Sequence, residues 1–446
     1  MSRPGGPAGR VRPTGRVLSD LRELGGDAGL VSLGQIVSYA YPIVSIPLLS
    51  RVLGIEGLGL FIVTLAVIQM LLVLTDFGFG FSALRRTAVA DTAADRQAVA
   101  SATITAKLAL WAVGSVVLVL VVLAVPSMRQ HLDLYLVGVL VSVGAALYPM
   151  WYLQGTGRLK LYALLTGGSR VVALAGLVLT VRSADQLGLA VFWQLLPYPL
   201  SAAVCWAVMT VQKDVALRLS RSEEATKALY DSLPLFVSLI SGQLIVISST
   251  ILLGQLAGYR QVGLFGPADR VTSAILGVLV AVEQAILPRL AAAHERPQEN
   301  NQPKLIVGSL MGCYGLAGLL LAVAAPVLIP WYLGADFADA VPIVQLMGVA
   351  TVITGVTRTF ALYLIAADRS GVCSIVTTIG AGWHLVTAAL GALIGGAEGV
   401  AVAICGTQLF MGAAMGYAIR QGGPRRPRHH RAEPGRAFQR RREQQR

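Results

Sequence analysis

The sequence contains a series of long apolar runs, and these constrain the fold more than any other feature. A run of about 20 residues is what an α-helix needs to cross the hydrocarbon core of a bilayer. Single apolar segments cross only as helices, because lipid offers no partner to an unpaired backbone group. The runs predict an all-α membrane protein with twelve spans, near residues 28–50, 58–80, 104–125, 134–153, 162–181, 187–211, 233–256, 271–290, 305–331, 341–366, 373–394 and 399–419.

The composition agrees with this interpretation. Of the 446 residues, 55% are hydrophobic and only 13% are charged, whereas soluble proteins carry about 25% charged residues. The net charge is +13, but ten of the 36 basic residues fall in the last 27 positions. The excess therefore belongs to a tail and does not indicate a nucleic-acid partner. The sequence has no phosphate-cradling loop of the ATPase type, which argues against ATP hydrolysis.

Basic residues also predict how the spans are oriented, since cytoplasmic loops are enriched in Lys and Arg. With both termini inside and both tails left out, the inner segments hold 14 basic residues, Lys107 among them, and the outer loops hold 5, including Arg270. The predicted parts are a leader (1–27), an N-lobe (28–211), a linker (212–232), a C-lobe (233–419) and a disordered basic tail (420–446). The leader is either a helix on the membrane surface or disordered.

An internal repeat relates the two predicted lobes. The segment LLSRVLGIEGLGLF at 48–61 matches LLGQLAGYRQVGLF at 252–265 without gaps, at an offset of 204 residues. Identical positions include Gly54 with Gly258 and Gly59 with Gly263. Six spans separate the copies, so both lobes have the same orientation. This indicates parallel repeats about an axis along the membrane normal, with a central cleft between two six-helix lobes.

Six short motifs occur in order along the chain: IPLLSRVLGIEGLGLF (46–61), TDFGFGFSALRR (75–86), PMWYLQG (149–155), VGLFGPADRV (262–271), ILPRLA (286–291) and GGAEGVAVA (395–403). Together they resemble the motifs of bacterial polysaccharide and O-antigen flippases, a branch of the multidrug/oligosaccharidyl-lipid/polysaccharide exporter superfamily. The resemblance implies alternating-access transfer of an undecaprenyl-diphosphate-linked oligosaccharide from the inner to the outer leaflet of the bacterial plasma membrane, for cell-surface polysaccharide biosynthesis. It also implies membrane lipids, a polysaccharide polymerase and chain-length machinery as partners.

Other functions are alternatives to this interpretation. The first is a drug or organic-cation antiporter of the same superfamily. A membrane polymerase or glycosyltransferase would need a constellation of acids and bases on the outer face, and the predicted outer loops are too short and too poor in such residues to supply one. A lipid II flippase of the same superfamily is also less favoured, because those flippases carry two helices more than the twelve predicted here.

Two arginines inside the predicted spans are the candidate contacts for a diphosphate. Arg170 lies in the fifth span and Arg358 in the tenth, where an unpaired cation would cost a few kcal/mol. A guanidinium suits phosphate because it is planar, always charged and forked. Thr354 shares a helical face with Arg358. The alternative is that both arginines pair with carboxylates or backbone carbonyls and only stabilise the bundle.

Two carboxylates within the apolar runs, Asp76 and Glu283, are the candidates for coupling to H+ or Na+. The competing interpretation pairs Asp76 with Arg85 and Arg86, and Glu283 with Arg289. No cofactor is expected beyond such an ion.

Polar residues in the first and seventh spans, including Gln35, Ser45 and Ser249, recur at about one helical turn. They either line a sugar-accepting cleft or form close helix contacts. The four cysteines and five histidines are scattered without metal-ligand spacing, so no metal site is predicted.

Overall fold

The structure, a computed structural model, describes residues 14–212, 214–295 and 302–421. The described residues form helices and turns, with no strand among them. The α-helices are α1 (Thr14–Asp76), α2 (Phe79–Ala88), α3 (Ala93–Ala124), α4 (Pro126–Arg129), α5 (Leu132–Leu147), α6 (Met150–Gly155), α7 (Leu159–Thr180), α8 (Leu187–Leu195), α9 (Pro197–Val211), α10 (Ser222–Leu256), α11 (Tyr259–Glu295), α12 (Gln302–Leu333), α13 (Val341–Ala366) and α14 (Ser370–Gln421). We call α1–α9 the first half and α10–α14 the second half.

Ten helical segments in the described part of the chain are long and apolar enough to cross a membrane. The two longest, Tyr41–Ala88 and Ser370–Gln421, contain 48 and 52 residues. Since one crossing needs about 20 residues, each of these is long enough for two. A glycine with positive φ interrupts each of the helices concerned: Gly54 at 67° in α1 and Gly396 at 55° in α14. This is the pattern of a multi-pass membrane protein.

The internal repeat takes the same backbone form in both halves. Gly54 and its equivalent Gly258 have φ values of 67° and 89°, a region that glycine enters without the steric cost of a Cβ. The first kink divides α1 into two segments, and the second separates α10 from α11. The sequence repeat is therefore also a structural repeat, because in each half two helical segments meet at a glycine with positive φ.

The two copies of the repeat pack against each other through glycines. A Cβ built on Gly59 would lie 1.8 Å from the carbonyl oxygen of Tyr259, and one on Gly263 would lie 1.9 Å from that of Ile55. Any side chain at either position would overlap the backbone of the other half. Small residues allow this approach of helices in membranes, and here they bring α1 and α11 into backbone contact. We call this end of the molecule the glycine end.

Polar and apolar contacts also join the halves at the glycine end. The Ser127 hydroxyl donates to the side chain of Gln255 at 2.6 Å, and Ser50 donates to the backbone oxygen of Leu333 at 3.1 Å. The largest hydrophobic core spans both halves there and includes Leu49, Leu58, Phe61, Leu253, Phe265 and Leu333. The halves are therefore closed on each other at this end.

The opposite end carries α2 with its arginines, and we call it the arginine end. Here α1 stops at Asp76, and left-handed Phe77 (φ 44°) and Gly78 (φ 78°) redirect the chain into α2. Two further hydrophobic cores lie toward this end. One belongs to the first half together with the linker and the start of α10, and the other to α11, α12 and α13 of the second half. Neither of these two cores contains residues of both α1–α9 and α11–α14.

The linker between the halves is attached to the first half. Gln97 of α3 both donates to and accepts from the backbone of Ala216, at 2.9 and 2.8 Å, and Arg158 pairs with Asp214 at 2.9 Å. The first turns of α10 continue this attachment, since Ser82 of α2 and Ser232 share a hydrogen bond of 2.6 Å. The predicted seventh span began at 233, whereas the helix itself begins at Ser222.

From Ser241 onward, α10 packs on the second half. Ser241 bonds to Thr378 at 3.2 Å and Ser249 to His384 at 2.8 Å, both in α14. The beginning of α10 is therefore attached to the first half and its middle to the second half, while its end lies where the two halves meet. Pro234, which removes a helical hydrogen bond, lies between the two attachments.

Two basic residues lie elsewhere than the sequence predicted. The helix containing Arg270 begins at Tyr259, twelve residues before the predicted span, so Arg270 lies inside α11 and its predicted place in an outer loop is wrong. Lys107 lies inside α3 and is buried. Without these two residues, the predicted inner segments hold 13 basic residues and the outer loops hold 4, so the bias in basic residues persists.

Candidate functional site

The second half contains an ion pair between two of the predicted site residues. Arg358 of α13 lies 3.2 Å from the Glu283 carboxylate of α11. The Arg358 side chain is 44% exposed and that of Glu283 only 6%. The hydroxyl of Tyr314, a buried residue of α12, donates to the other oxygen of Glu283. The buried Glu283 carboxylate is thus held by Tyr314 and Arg358, while the Arg358 guanidinium remains partly exposed.

The first half contains a second ion pair, in which the exposures are reversed. Asp76 at the end of α1 lies 3.4 Å from the amine of Lys107 in α3, and their side chains are 36% and 4% exposed. The sequence offered Arg85 and Arg86 as partners of Asp76, but the partner is Lys107, and Arg86 lies 3.8 Å from Asp231. Pairing explains how both charges persist inside membrane helices, since an unpaired charge there is costly.

The remaining predicted cation, Arg170, lies in α7 of the first half. Its guanidinium donates to the backbone oxygen of Thr166, one turn earlier, at 2.7 Å. Arg170 therefore has the backbone carbonyl partner that the alternative interpretation expected.

The predicted hydroxyl contacts are buried in helix interfaces. Ser45 lies 3.5 Å from the backbone oxygen of Pro42, and Ser249 bonds to His384. Thr354 is also buried. In this conformation these three side chains are buried and do not line an accessible surface. Gln35 belongs to α1, but its side chain lies outside the described residues, as does the basic tail beyond residue 421.

Two charged residues inside the helices are missed by the sequence interpretation. Lys107 counts there as a cytoplasmic charge although it falls inside a predicted span. Arg270 falls outside the eighth predicted span because the polar pair Asp269 and Arg270 interrupts the apolar run. The repeat contains a signal for Arg270, since the Gly-Leu-Phe at Gly59 lies in a predicted span and the identical one at Gly263 does not.

His384 was also missed. It is fully buried and links Ser249 of α10 to Thr407 of α14 through hydrogen bonds of 2.8 and 3.0 Å. These bonds satisfy both ring nitrogens. The role of this histidine is to join three helical segments of the second half.

The accessible atoms of the two pairs differ in what they can bind. Arg358 offers a forked cation whose five N–H donors exceed what one carboxylate oxygen accepts. Such a group binds phosphate or carboxylate oxygens. The Asp76 carboxylate is an acceptor of hydrogen bonds, and its charge is balanced by Lys107. The pair in the second half can therefore bind an anionic group, and the pair in the first half can bind hydrogen-bond donors.

A family model and two curated proteins match this chain. The family model described as "Polysaccharide biosynthesis protein" matches residues 24–294. Two curated proteins, each named "Putative O-antigen transporter", are 24% identical to the chain. The one from Shigella dysenteriae aligns over 88% of this chain and 98% of its own length, and the one from Escherichia coli (strain K12) over 70% and 75%.

Solved structures share the fold. The lipid II flippase MurJ in an inward closed conformation superposes with a TM-score of 0.69 at 13% identity, covering 88% of this chain and 87% of that one. A multidrug resistance MATE family transporter of the MOP superfamily, in an inward-facing conformation, gives 0.65 at 15% identity, covering 87% and 94%. Since the family model spans more than half of the sequence, the chain belongs to the polysaccharide biosynthesis protein family.

Proposed function

We propose that this protein is a flippase that moves an undecaprenyl-diphosphate-linked oligosaccharide from the inner to the outer leaflet of the bacterial inner membrane. The observation that carries the proposal is Arg358, a guanidinium that remains accessible inside a membrane helix. A lipid headgroup with a diphosphate needs such a cation within the bilayer. The names of the curated relatives support a glycan as the rest of the cargo.

The proposed architecture has twelve crossings in two six-helix lobes. The kinks at Gly54 and Gly396 divide α1 and α14 into two crossings each, which adds two to the ten candidate segments. The bias in basic residues supports the arginine end and both termini in the cytoplasm. The glycine end then faces the cell exterior.

The proposed mechanism is alternating access. The core that spans both halves supports a state closed toward the outside, and the separate cores at the arginine end support entry from the cytoplasmic leaflet. The headgroup enters between the halves while the lipid chain stays in the membrane. The halves then separate at the glycine end and approach each other at the arginine end. No covalent chemistry is required.

Diphosphate binding is assigned chiefly to Arg358, with Arg170 as the second cation. Arg358 has N–H donors beyond the one directed at Glu283, and charge-assisted forks of this kind are the stronger hydrogen bonds. Arg170 already donates to a backbone oxygen, so its contribution is more electrostatic than directional.

Coupling to H+ or Na+ through Asp76 and Glu283 is a further part of the proposal. Each carboxylate is paired in this conformation, so a coupling ion would have to displace Lys107 or Arg358. We expect ion binding, therefore, in the outward-open state.

A drug or organic-cation antiporter is the second candidate, and the accessible Asp76 carboxylate is the observation that favours it. A cation would be drawn to such a group, but Lys107 lies 3.4 Å away and balances its charge. The pair as a whole is neutral, which weakens this alternative.

Transport into proteoliposomes tests the proposal. Arg358→Ala should lower the flipping rate of an undecaprenyl-diphosphate oligosaccharide about 10- to 150-fold, the equivalent of a charge-assisted hydrogen bond of about 1.5–3 kcal/mol. Arg358→Lys should keep part of the activity, because the charge remains while the fork is lost. The matched control is Arg260→Ala, which removes an exposed arginine paired with Asp339 at the glycine end.

Folding must be separated from transport in this experiment. Arg358→Ala leaves Glu283 buried without its partner, which can cost about 3–5 kcal/mol of stability. The double variant Arg358→Ala/Glu283→Gln removes both charges and avoids that cost. Full flipping by a folded double variant would remove Arg358 from the substrate site.

A further inference from the structure

The two intramembrane ion pairs present opposite charges. In the first half the acid, Asp76, is accessible and the cation behind it is buried; in the second half the cation, Arg358, is accessible and the acid behind it is buried. The first half therefore offers a ligand an acceptor of hydrogen bonds, and the second half offers a donor with positive charge.

The two acids occupy similar places in the sequence repeat when its offset of 204 residues is carried beyond the matching segments. The position equivalent to Asp76 is then 280, three residues from Glu283. The position equivalent to Lys107 is 311, three residues from Tyr314, which is the partner of Glu283 on α12. Three residues are less than one turn, about 4.5 Å along a helix. The acid of each half is therefore contacted from a similar place in its repeat, from α3 in the first half and from α12 in the second.

From this reversal we infer that the substrate headgroup lies across the molecule, with its diphosphate on Arg358 in the second half and its first sugars on Asp76 in the first half. This inference rests on the proposed flippase function. The Asp76 carboxylate would repel a phosphate, but it accepts hydrogen bonds from sugar hydroxyls, and such bonds to a charged group are the stronger kind.

Two neighbours of Asp76 fit a sugar better than an organic cation. Lys107 balances the charge of the carboxylate without occupying all of its oxygen lone pairs. The backbone N–H of Gly80 donates to the other carboxylate oxygen at 3.4 Å, so hydrogen-bond donors already surround the group. Neutral, hydroxyl-rich ligands suit such a group of donors and acceptors.

Binding measurements on the full-length protein in nanodiscs test this orientation with two lipids, undecaprenyl diphosphate and the same lipid bearing an oligosaccharide. Asp76→Asn should weaken binding of the glycan-bearing lipid about tenfold or more and leave binding of the bare lipid unchanged. Arg358→Lys should weaken binding of both lipids. Asp339→Asn, at an exposed ion pair of the glycine end, is the matched control.

A second variant protects the test against misfolding, because Asp76→Asn leaves Lys107 buried without its partner. Asp76→Asn/Lys107→Met removes both charges and should show the same selective loss. Equal weakening of both lipids by either Asp76 variant, or no change with the glycan, would overturn the inference. Loss of tetraphenylphosphonium binding in Asp76→Asn with glycan binding intact would overturn it in favour of a cation site. If the wild-type protein binds neither lipid, the proposed function itself is refuted, and the orientation with it.

Discussion

The contact between Gly59 and Gly263 gives a direct prediction about how the halves move. In Gly59→Ala the new methyl group would lie 1.8 Å from the carbonyl oxygen of Tyr259, whereas real Cβ contacts stay above 3.0 Å. Both sides of the contact are backbone, so no side chain can rotate away. The variant should therefore favour the conformation in which the two halves separate at the glycine end.

The size of the effect follows from the overlap. The helices would have to separate by about 1 Å, and forced overpacking of this kind costs about 1–3 kcal/mol. Because every 1.4 kcal/mol is a factor of ten, the population of the closed state should fall by about 5- to 150-fold relative to the open state. Gly263→Ala should act similarly, and the double variant should add little, since one methyl group already separates the helices.

Spin labels at Asp133→Cys and Asp336→Cys, in a background without the four native cysteines, report this movement. Both positions are exposed and belong to different halves at the glycine end. Double electron–electron resonance should show a longer-distance population in Gly59→Ala that is small or missing in the parent protein.

The matched control is Gly399→Ala, where the built Cβ lies 2.0 Å from the Gly391 oxygen, but both residues belong to α14. This change should lower thermal stability without altering the distance distribution between the halves. A folded Gly59→Ala protein with the parent distribution would refute the reasoning, as would an equal shift in Gly399→Ala.

Three further predictions concern other parts of the molecule. His384→Ala should lower the free energy of unfolding by about 2–4 kcal/mol, because it leaves a cavity and removes one of the two hydrogen bonds of each buried hydroxyl, Ser249 and Thr407; an unchanged thermal midpoint in detergent would contradict this. Gln97→Ala should release the linker, and limited proteolysis should then cut within 212–221 faster than in the parent protein; equal cleavage rates would argue against the attachment. Asp76→Asn and Glu283→Gln should each lose the dependence of flipping on an H+ or Na+ gradient, and retention of that dependence in both would place coupling elsewhere.

Much of the fold was predictable because hydrophobic runs are sufficient to define membrane helices. The predicted span at 341–366 coincides with α13, whose ends are marked by Pro342 and by the polar Asp368 and Arg369. The break between the first two predicted spans contains Gly54, where the structure has its kink. The start of α11 was not predictable from hydropathy, because Asp269 and Arg270 made that part of the helix look like a loop.

The candidate site was only partly predictable, for a physical reason. Sequence identified Arg358 and Glu283 separately, as charges that a membrane does not tolerate unpaired. It could not pair them, since 75 residues separate them and only the packing of α11 on α13 brings them to 3.2 Å. The sequence also could not show which residue of each ion pair is exposed. The proposed binding of diphosphate to the second half and of sugars to the first half depends on that difference in exposure.

The central claim is that this protein moves a lipid-linked glycan across the membrane, and deleting its gene tests that claim most directly. The undecaprenyl-diphosphate oligosaccharides that accumulate can be identified, and a probe that does not cross the membrane reports their leaflet. The account predicts accumulation of one such lipid in the inner leaflet, reversed by the intact gene and not by the gene carrying Arg358→Ala/Glu283→Gln. Normal amounts and distribution of these lipids, together with new sensitivity to organic cations, would contradict it.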